Sequence, residues 1–228
     1  MMSVAENWMR FQDDLIHIAN RCHRNVNDIA VMAVSKTRTA EEIAAARAAG
    51  LAMFGENRVD EAAEKFARFD TENYPLYLIG HLQSNKVNRI SARFSGLHSL
   101  DSLALAEKLS RHREKLKAPL EVLIQVNTSG EAEKSGFRNK AEFVDAAAKI
   151  ANLPFLELKG LMTMAPFVED EIIIRRCFAR CREWVALAEK HIHSTPILSM
   201  GMSSDYHWAI AEGSTLLRIG TIIFGVRD

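Results

Sequence analysis

Cysteine is scarce in this sequence, and the shortage excludes a disulfide framework. The 228 residues include three cysteines, an odd and sparse set that fits reduced thiols in a cytoplasmic protein. Cys177 and Cys181 lie on one predicted helix, and His191 and His193 follow it. Side chains on a single helix and its exit rarely converge on a metal ion. We therefore interpret the thiols as small core residues and predict no metal site.

The sequence also lacks a charge excess and any long apolar run. Lysine plus arginine number 29 and aspartate plus glutamate number 29, so no basic surplus indicates nucleic acid as a partner. No apolar segment approaches the roughly 20 residues that a membrane span requires. The opening MMSVAENWMRFQDD has acidic residues and no apolar core, unlike a secretory signal. We expect a soluble globular protein without a nucleic-acid or membrane partner.

The apolar residues that are present follow two periodicities. Between residues 4 and 22, spacings of three and four predict an amphipathic helix. Its apolar face contains Trp8, Phe11, Leu15, Ile18 and Cys22. Eight short apolar segments follow and alternate with helical segments, and the fourth is the weakest. These predicted strands cover residues 29–34, 52–54, 76–79, 97–99, 120–126, 155–161, 197–198 and 215–219.

Eight strands alternating with helices, with no linker between them, predict an α/β fold: a single (β/α)₈ TIM barrel covering residues 1–228. An open doubly wound sheet is the alternative. One of the predicted helices starts near Asn85. The nine residues after Ile219 are too few for a full eighth outer helix. We expect the extra N-terminal helix, within residues 1–22, to cover that gap.

Polar and glycine residues follow most strands, which in such barrels places them on the C-terminal rim where ligands bind. Lys36 comes directly after the apolar run IAVMAV. A lysine at a barrel mouth is expected to be partly desolvated, which lowers its pKa and favours the neutral amine that can form a Schiff base with an aldehyde. The position is also compatible with a surface lysine that snorkels into solvent or pairs with an acid. We interpret Glu131, Glu133 and Lys134 as a solvated loop.

Two glycine-containing turns follow the last two strands. Residues 199–204 (SMGMSS) precede a predicted helix, and Gly220-Thr221 ends the eighth strand. Backbone amides at a helix N-terminus bind phosphate, and a phosphate site after strands seven and eight recurs in this fold. The turns are also compatible with a capping serine and a structural glycine. Opposite Lys36, such a site would suit pyridoxal phosphate, whose aldehyde would meet the amine.

Seven ordered motifs resemble the pyridoxal phosphate homeostasis proteins over nearly the whole chain. They are AVSKT at 33–37, FGENRVDE at 54–61, IGHLQSNK at 79–86, QVNTSGEAEKSGF at 125–137, GLMTM at 160–164, LSMGMSSD at 198–205 and LLRIGTIIFG at 216–225. The resemblance implies a barrel like the N-terminal domain of bacterial alanine racemases, known as fold type III, with Lys36 as the Schiff-base lysine. It implies further cofactor-binding residues, which are Asn57, His81 and Met162 at the ring and Ser199, Met200, Gly201, Gly220 and Thr221 near the phosphate. Arg218 would approach either the pyridine nitrogen or the phosphate, and the sequence leaves both open.

The resemblance also implies a role in intracellular vitamin B6 homeostasis. In that role the protein is a monomeric carrier, not an enzyme, that releases pyridoxal phosphate to apoenzymes which depend on it. A small amino-acid racemase is the alternative. Resembling racemases take a second base from a separate C-terminal domain, and this chain stops nine residues after the eighth strand. A Schiff-base aldolase is a third reading. Aldolases place the lysine later in the barrel beside a general acid, and no such pair is evident here.

Overall fold

The strands of the chain close into one parallel barrel. The computed structural model describes residues 2–131 and 133–226. Each strand pairs with the next, and the eighth pairs with the first, so the sheet has no open edge. The (β/α)₈ barrel is confirmed and the open doubly wound sheet is wrong. The strands are β1 Ala30–Val34, β2 Phe54–Glu56, β3 Leu76–Leu78, β4 Phe94–Leu100, β5 Leu120–Gln125, β6 Leu156–Met162, β7 Ile197–Ser199 and β8 Leu216–Ile219.

Helices surround the barrel on the outside. The α-helices are α1 Val4–Arg21, α2 Ala40–Ala48, α3 Val59–Phe66, α4 Leu103–Leu116, α5 Lys140–Ile150, α6 Glu171–Ala188, α7 Tyr206–Ala211 and α8 Thr221–Phe224. Short 3₁₀ helices cover Val26–Asp28, Ser84–Arg89 and Glu189–His191. Among the helices that the structure describes, none combines the length and apolar character needed to cross a bilayer.

Two predicted elements were placed wrongly. The second strand lies two residues later than expected, because Gly55 and Glu56 belong to it. Both are residue types that strands disfavour, so the predicted strand ends before them. A Cβ at Gly55 would lie 2.6 Å from Met32 Sδ in the barrel interior, so a larger residue there would force Met32 to shift. The helix predicted near Asn85 is the 3₁₀ segment Ser84–Arg89.

The N-terminal helix occupies the position of the eighth outer helix, as expected. α1 contacts α2, α7 and α8, and Asn7 Nδ2 donates to the Ile223 carbonyl at 3.1 Å. Its buried face is slightly rotated from the predicted one. Trp8, Phe11 and Leu15 are buried, but Ala19 completes the face. Ile18 and Cys22 are only partly buried, because the spacing of four from Leu15 favours Ala19.

The barrel interior changes from apolar to polar towards the C-terminal mouth. Met32, Tyr77 and Leu216 form an apolar cluster inside the barrel. His98 and Arg218 are also buried. The His98 ring lies 4.9 Å from the Tyr77 ring, and Arg218 follows Leu216 two residues further along β8. This polar layer forms the floor beneath the mouth, where the candidate site lies.

Candidate functional site

A cavity of about 720 Å³ opens at the C-terminal mouth of the barrel. Side chains from most of the strand ends meet there, as the fold predicts. Six of the ten predicted site residues line it, namely Lys36, Asn57, His81, Arg218, Gly220 and Thr221. Among the residues that the structure describes, no group of three or more histidine, cysteine or acidic side chains could hold a metal ion.

The other four predicted residues lie behind this lining. Met162 and Met200 are fully buried in the core. The buried Ser199 hydroxyl accepts a hydrogen bond from Arg218 Nη1 at 2.8 Å. Gly201 has φ +96°, and a Cβ there would lie 2.6 Å from Ala209 Cβ. These four residues support the cavity wall, and their contact with a cofactor stays a prediction.

Lys36 projects into the cavity because side chains alternate along β1. Val34 and Lys36 both line the cavity, whereas the Ser35 hydroxyl points the other way and donates to Glu56 Oε1 at 2.8 Å. The Lys36 side chain is exposed to solvent. The expectation of partial desolvation is therefore wrong, since the mouth is wide open above the end of the strand. An exposed amine is accessible to both an incoming aldehyde and water.

Arg218 is a fixed, charged group at the floor of the cavity. Its Nη1 donates to the Ser199 carbonyl at 2.6 Å, and its Nη2 donates to the Thr163 carbonyl at 2.8 Å. Burial lowers its pKa to about 10, and the nearby Asp205 opposes that shift. The guanidinium therefore stays charged at neutral pH. Its rigid attachment to two carbonyls fixes where its remaining donors point.

His98 lies in the same buried layer and is held in its neutral form. Burial lowers its pKa to about 3, and the positive charge of Arg218 acts in the same direction. Within the described part of the chain, His98 Nδ1 has no hydrogen-bond partner. The layer therefore carries one positive charge, on Arg218, and a neutral imidazole beside it.

One side of the cavity rim is built from helix starts. Gly220 and Thr221 begin α8, and Ser203 and Ser204 precede α7. All four line the cavity. The first amides of a helix have no acceptor within that helix, so they and the nearby hydroxyls are suited to bind an anion. Asp205, directly after Ser204, is buried and does not line this cavity; its carboxylate accepts from the Met202 amide at 2.5 Å, and burial raises its pKa.

The opposite side of the rim comes from the ends of β2 and β3. Asn57 and His81 line the cavity there. A Cβ on Gly80 would lie 2.1 Å from the Asn57 carbonyl oxygen, so only glycine permits the two loops to approach this closely. His81 Nδ1 lies 3.0 Å from Asp101 Oδ2, which orients the imidazole at the edge of the mouth.

The loop after β5 was expected to be solvated, and Glu131 and Glu133 are indeed exposed, but part of the loop also lines the cavity. Glu133, Lys134 and Ser135 line the cavity. Lys134 Nζ donates to the Ala165 carbonyl at 2.9 Å, which ties this loop to the end of β6. Asn127 Nδ2 closes the loop by donating to the Glu131 and Lys134 carbonyls at 2.8 and 2.9 Å. An asparagine directly after a strand was the signal in the sequence for such a closed loop.

A smaller cavity of about 480 Å³ adjoins the first one. The residues that line both cavities are Lys134, Met164, Phe167, Met202 and Ser204. Phe167 is 96% exposed and lies in the β6–α6 loop. No local sequence pattern indicates this second cavity, because its wall combines loops that are distant along the chain.

Fold and cavity together define a (β/α)₈ barrel with an amine, a buried guanidinium and a rim of helix starts at one mouth. Residues 12–228 match the family described as alanine racemase, N-terminal domain. The pyridoxal phosphate homeostasis protein of Escherichia coli is 40% identical over 235 residues, which cover 100% of this chain and 98% of that protein. The chain therefore belongs to the alanine racemase N-terminal domain family, among the pyridoxal phosphate homeostasis proteins.

Solved structures agree with this assignment. PipY of Synechococcus elongatus, solved with PLP bound, superposes with a TM-score of 0.84 at 33% identity and covers 98% of this chain and 100% of its own. Alanine racemase from Corynebacterium glutamicum superposes with a TM-score of 0.74 at 20% identity, covering 98% of this chain and 60% of the racemase. The likeness to the racemase shows a shared barrel fold.

Proposed function

We propose that this protein binds pyridoxal phosphate on Lys36 and carries it to apoenzymes that require it. The observation that carries the proposal is the single cavity that brings together Lys36, Arg218 and the Gly220–Thr221 rim. The relatives' name, pyridoxal phosphate homeostasis protein, and the PLP bound to PipY support it. We propose that the protein acts as a monomer, since Lys36, Arg218 and the Gly220–Thr221 rim already lie in one cavity of a single copy.

The residues present fit this cofactor. A cavity of about 720 Å³ lies within the range of small-molecule sites, roughly 300 to 1,000 Å³. Lys36 Nζ would bond to the aldehyde carbon, and the aldehyde oxygen would leave as water to give a Schiff base. Because Lys36 is exposed, water can reach the same bond and reverse the reaction. Reversible loading is what a carrier requires.

The rim and the floor would hold opposite ends of the cofactor. The Gly220–Thr221 turn and the hydroxyls of Ser203 and Ser204 would bind the phosphate. Arg218 is on β8 itself, two residues before the rim, and its hydrogen bonds to two carbonyls fix it there. We therefore assign Arg218 to the pyridine nitrogen rather than to the phosphate.

That assignment favours carriage over catalysis. A guanidinium cannot accept a proton, and its charge disfavours protonation of a neighbouring pyridine nitrogen. The protonated ring is the stronger electron sink in amino-acid chemistry. Arg218 would thus hold the ring while reducing its capacity to stabilise a carbanion. Absence of enzymatic turnover is part of the proposal.

Cofactor delivery tests the proposed function. The protein is loaded with pyridoxal phosphate, freed of unbound ligand and mixed with the apo form of an enzyme that requires this cofactor. We expect the apoenzyme to regain activity in proportion to the loaded protein added, and Lys36→Ala prepared in the same way to restore far less. An apoenzyme that gains no activity from loaded wild-type protein would contradict carriage.

A further inference from the structure

We propose that Glu56, Glu61 and Lys65 form a positioning cluster that holds the turn carrying Lys36, so that its amine reaches the aldehyde carbon. The inference rests on the proposed function and deepens it. None of the three residues lines the cavity; they lie behind Lys36, on β2 and α3.

The cluster binds the residue before Lys36 through both its side chain and its backbone. The Ser35 hydroxyl donates to Glu56 Oε1 at 2.8 Å, and the Ser35 carbonyl accepts from Lys65 Nζ at 3.0 Å. The Ser35 amide donates to the Gly55 carbonyl at 3.0 Å, which extends the β1–β2 pairing to the end of the strand. Ser35 is therefore held on three sides.

The cluster also binds the residue after Lys36. The Thr37 amide donates to Glu61 Oε1 at 3.3 Å, and Thr37 has φ +63°, a left-handed conformation that a β-branched residue rarely adopts. The Arg38 amide closes the turn on the Ser35 carbonyl at 3.0 Å. A strained backbone at a site persists only where its surroundings fix it, and here the surroundings include this carboxylate.

Lys65 joins the two halves of the cluster. Its Nζ lies 2.8 Å from Glu56 Oε1 and 3.4 Å from Glu61 Oε1. The Glu56 side chain is fully buried and the Lys65 side chain is 12% exposed. Burial raises the pKa of Glu56, while the bonds from Lys65 and Ser35 oppose that shift. Removing such an ion pair from water is costly. Apolar residues of similar size in its place would often stabilise a fold equally well. A buried ion pair directly behind Lys36 is better explained by the geometry that it imposes.

Lys36 depends on its backbone for position. Its side chain is exposed, so the cavity does not immobilise the amine. If the turn is released, the amine samples more positions and meets the aldehyde carbon in a reactive geometry less often. The phosphate rim and Arg218 lie on the β7 and β8 side and keep their contacts. Covalent capture should therefore weaken while non-covalent binding persists.

Two ligands separate these effects. Pyridoxal phosphate has the aldehyde, and pyridoxine 5′-phosphate has an alcohol in its place, so only the first can bond to Lys36. We expect Lys65→Met and Glu61→Ala to lower the affinity for pyridoxal phosphate by about tenfold or more, with weaker Schiff-base absorbance. The affinity for pyridoxine 5′-phosphate should change less than about twofold. Glu64→Ala, at an exposed glutamate on the same helix, is the matched control and should change neither.

The outcomes distinguish the two proposals. Wild-type protein that binds pyridoxal phosphate without Schiff-base absorbance would overturn the proposed function and this inference together. A normal wild-type Schiff base with equal losses for both ligands, or with no loss for pyridoxal phosphate, would overturn the positioning role alone. Glu61 is partly exposed, so Glu61→Ala keeps the test decisive if Lys65→Met does not fold.

Discussion

At the scale of single residues, burial rather than hydrogen bonding sets the charge state of the cavity floor. His98 and Arg218 are both enclosed in the barrel, and burial lowers the pKa of each. The consequence differs because their ordinary pKa values differ. Arg218 remains positive at neutral pH, and His98 remains neutral well into the acid range.

The depressed pKa of His98 predicts a loss of stability in acid. Below its ordinary pKa of 6.5 the unfolded chain protonates His98, whereas the folded chain does not until about pH 3. Stability therefore falls as the pH falls through this range, by about 2 kcal/mol between about pH 7.5 and about pH 5. Urea unfolding of wild type and His98→Leu at the two pH values checks this. If the difference in unfolding free energy between them does not depend on pH, His98 is not held neutral.

Gly220 is expected to contribute to ligand binding and not to the stability of the fold. A Cβ there would lie 3.4 Å from the Val34 carbonyl oxygen, an ordinary contact, and its φ of −115° suits any residue. Gly220→Ala should keep the melting temperature of wild type. The substitution should weaken the binding of pyridoxal phosphate by about tenfold, since overpacking costs about 1 to 3 kcal/mol. The binding of unphosphorylated pyridoxal should weaken much less. Equal effects on both ligands would remove Gly220 from the phosphate site.

Individual site residues were predictable to different degrees. Lys36 and Gly220 were predicted from their places at strand ends and Arg218 from the family resemblance, and the structure brings all three to one cavity. The residues that hold the turn around Lys36, such as Lys65, could not be predicted. Their contact depends on how α3 packs against β1 and β2, and no local pattern encodes that packing.

At the scale of elements, the N-terminal helix completes the outer layer of the barrel. α1 contacts both α2 and α7, which would otherwise flank an uncovered section of the sheet between β8 and β1. A capping box formed by Ser3 and Glu6 starts the helix, with the Ser3 amide donating to Glu6 at 2.7 Å. The helix therefore contributes to the stability of the strands that carry Lys36 and Arg218.

Truncation of its buried face should be costly. Phe11 is 2% exposed, and its ring lies 5.2 Å from the Tyr206 ring on α7. Phe11→Ala should lower the free energy of unfolding by about 3 to 5 kcal/mol. Met9 lies on the same helix and is 63% exposed, so Met9→Ala should change the free energy of unfolding by no more than about 0.5 kcal/mol. Denaturant unfolding measures the change in unfolding free energy for both variants. If Phe11→Ala lowers it as little as Met9→Ala does, α1 is dispensable.

Element prediction succeeded where periodicity was strong and failed where tertiary contacts decide. α1 follows a long helical pattern, and its bounds, Val4–Arg21, nearly match the predicted residues 4–22. β4 was expected to be weak, yet it spans seven residues. Its sequence, FSGLHSL, contains a glycine and a histidine that face Tyr77 inside the barrel, where an alternating apolar pattern is not needed.

At the scale of the whole molecule, this chain has the same barrel fold as enzymes, but the function proposed for it is carriage rather than catalysis. The barrel covers 60% of the Corynebacterium glutamicum racemase chain, so the likeness itself leaves activity open. Arg218 is the feature of this chain that argues for carriage, because it would reduce the electron-sink capacity of the bound cofactor.

Proton exchange distinguishes a carrier from a racemase. Loaded protein is incubated with alanine in deuterated water, and loss of the α-proton signal is followed by NMR. We expect exchange far slower than the turnover of typical enzymes, about 1 to 10³ per second. Exchange within that range would make the racemase alternative correct.

Peptide mapping after borohydride reduction tests the central claim that Lys36 holds the cofactor. Borohydride converts a Schiff base into a stable pyridoxyl-lysine, and mass spectrometry then locates the modified residue. Lys134 is the internal comparison, since it also lines the cavity. We expect an adduct on Lys36 that is lost in Lys36→Ala and retained in Lys134→Ala. An adduct found mainly on Lys134 or another lysine, with Lys36 unmodified, would contradict it.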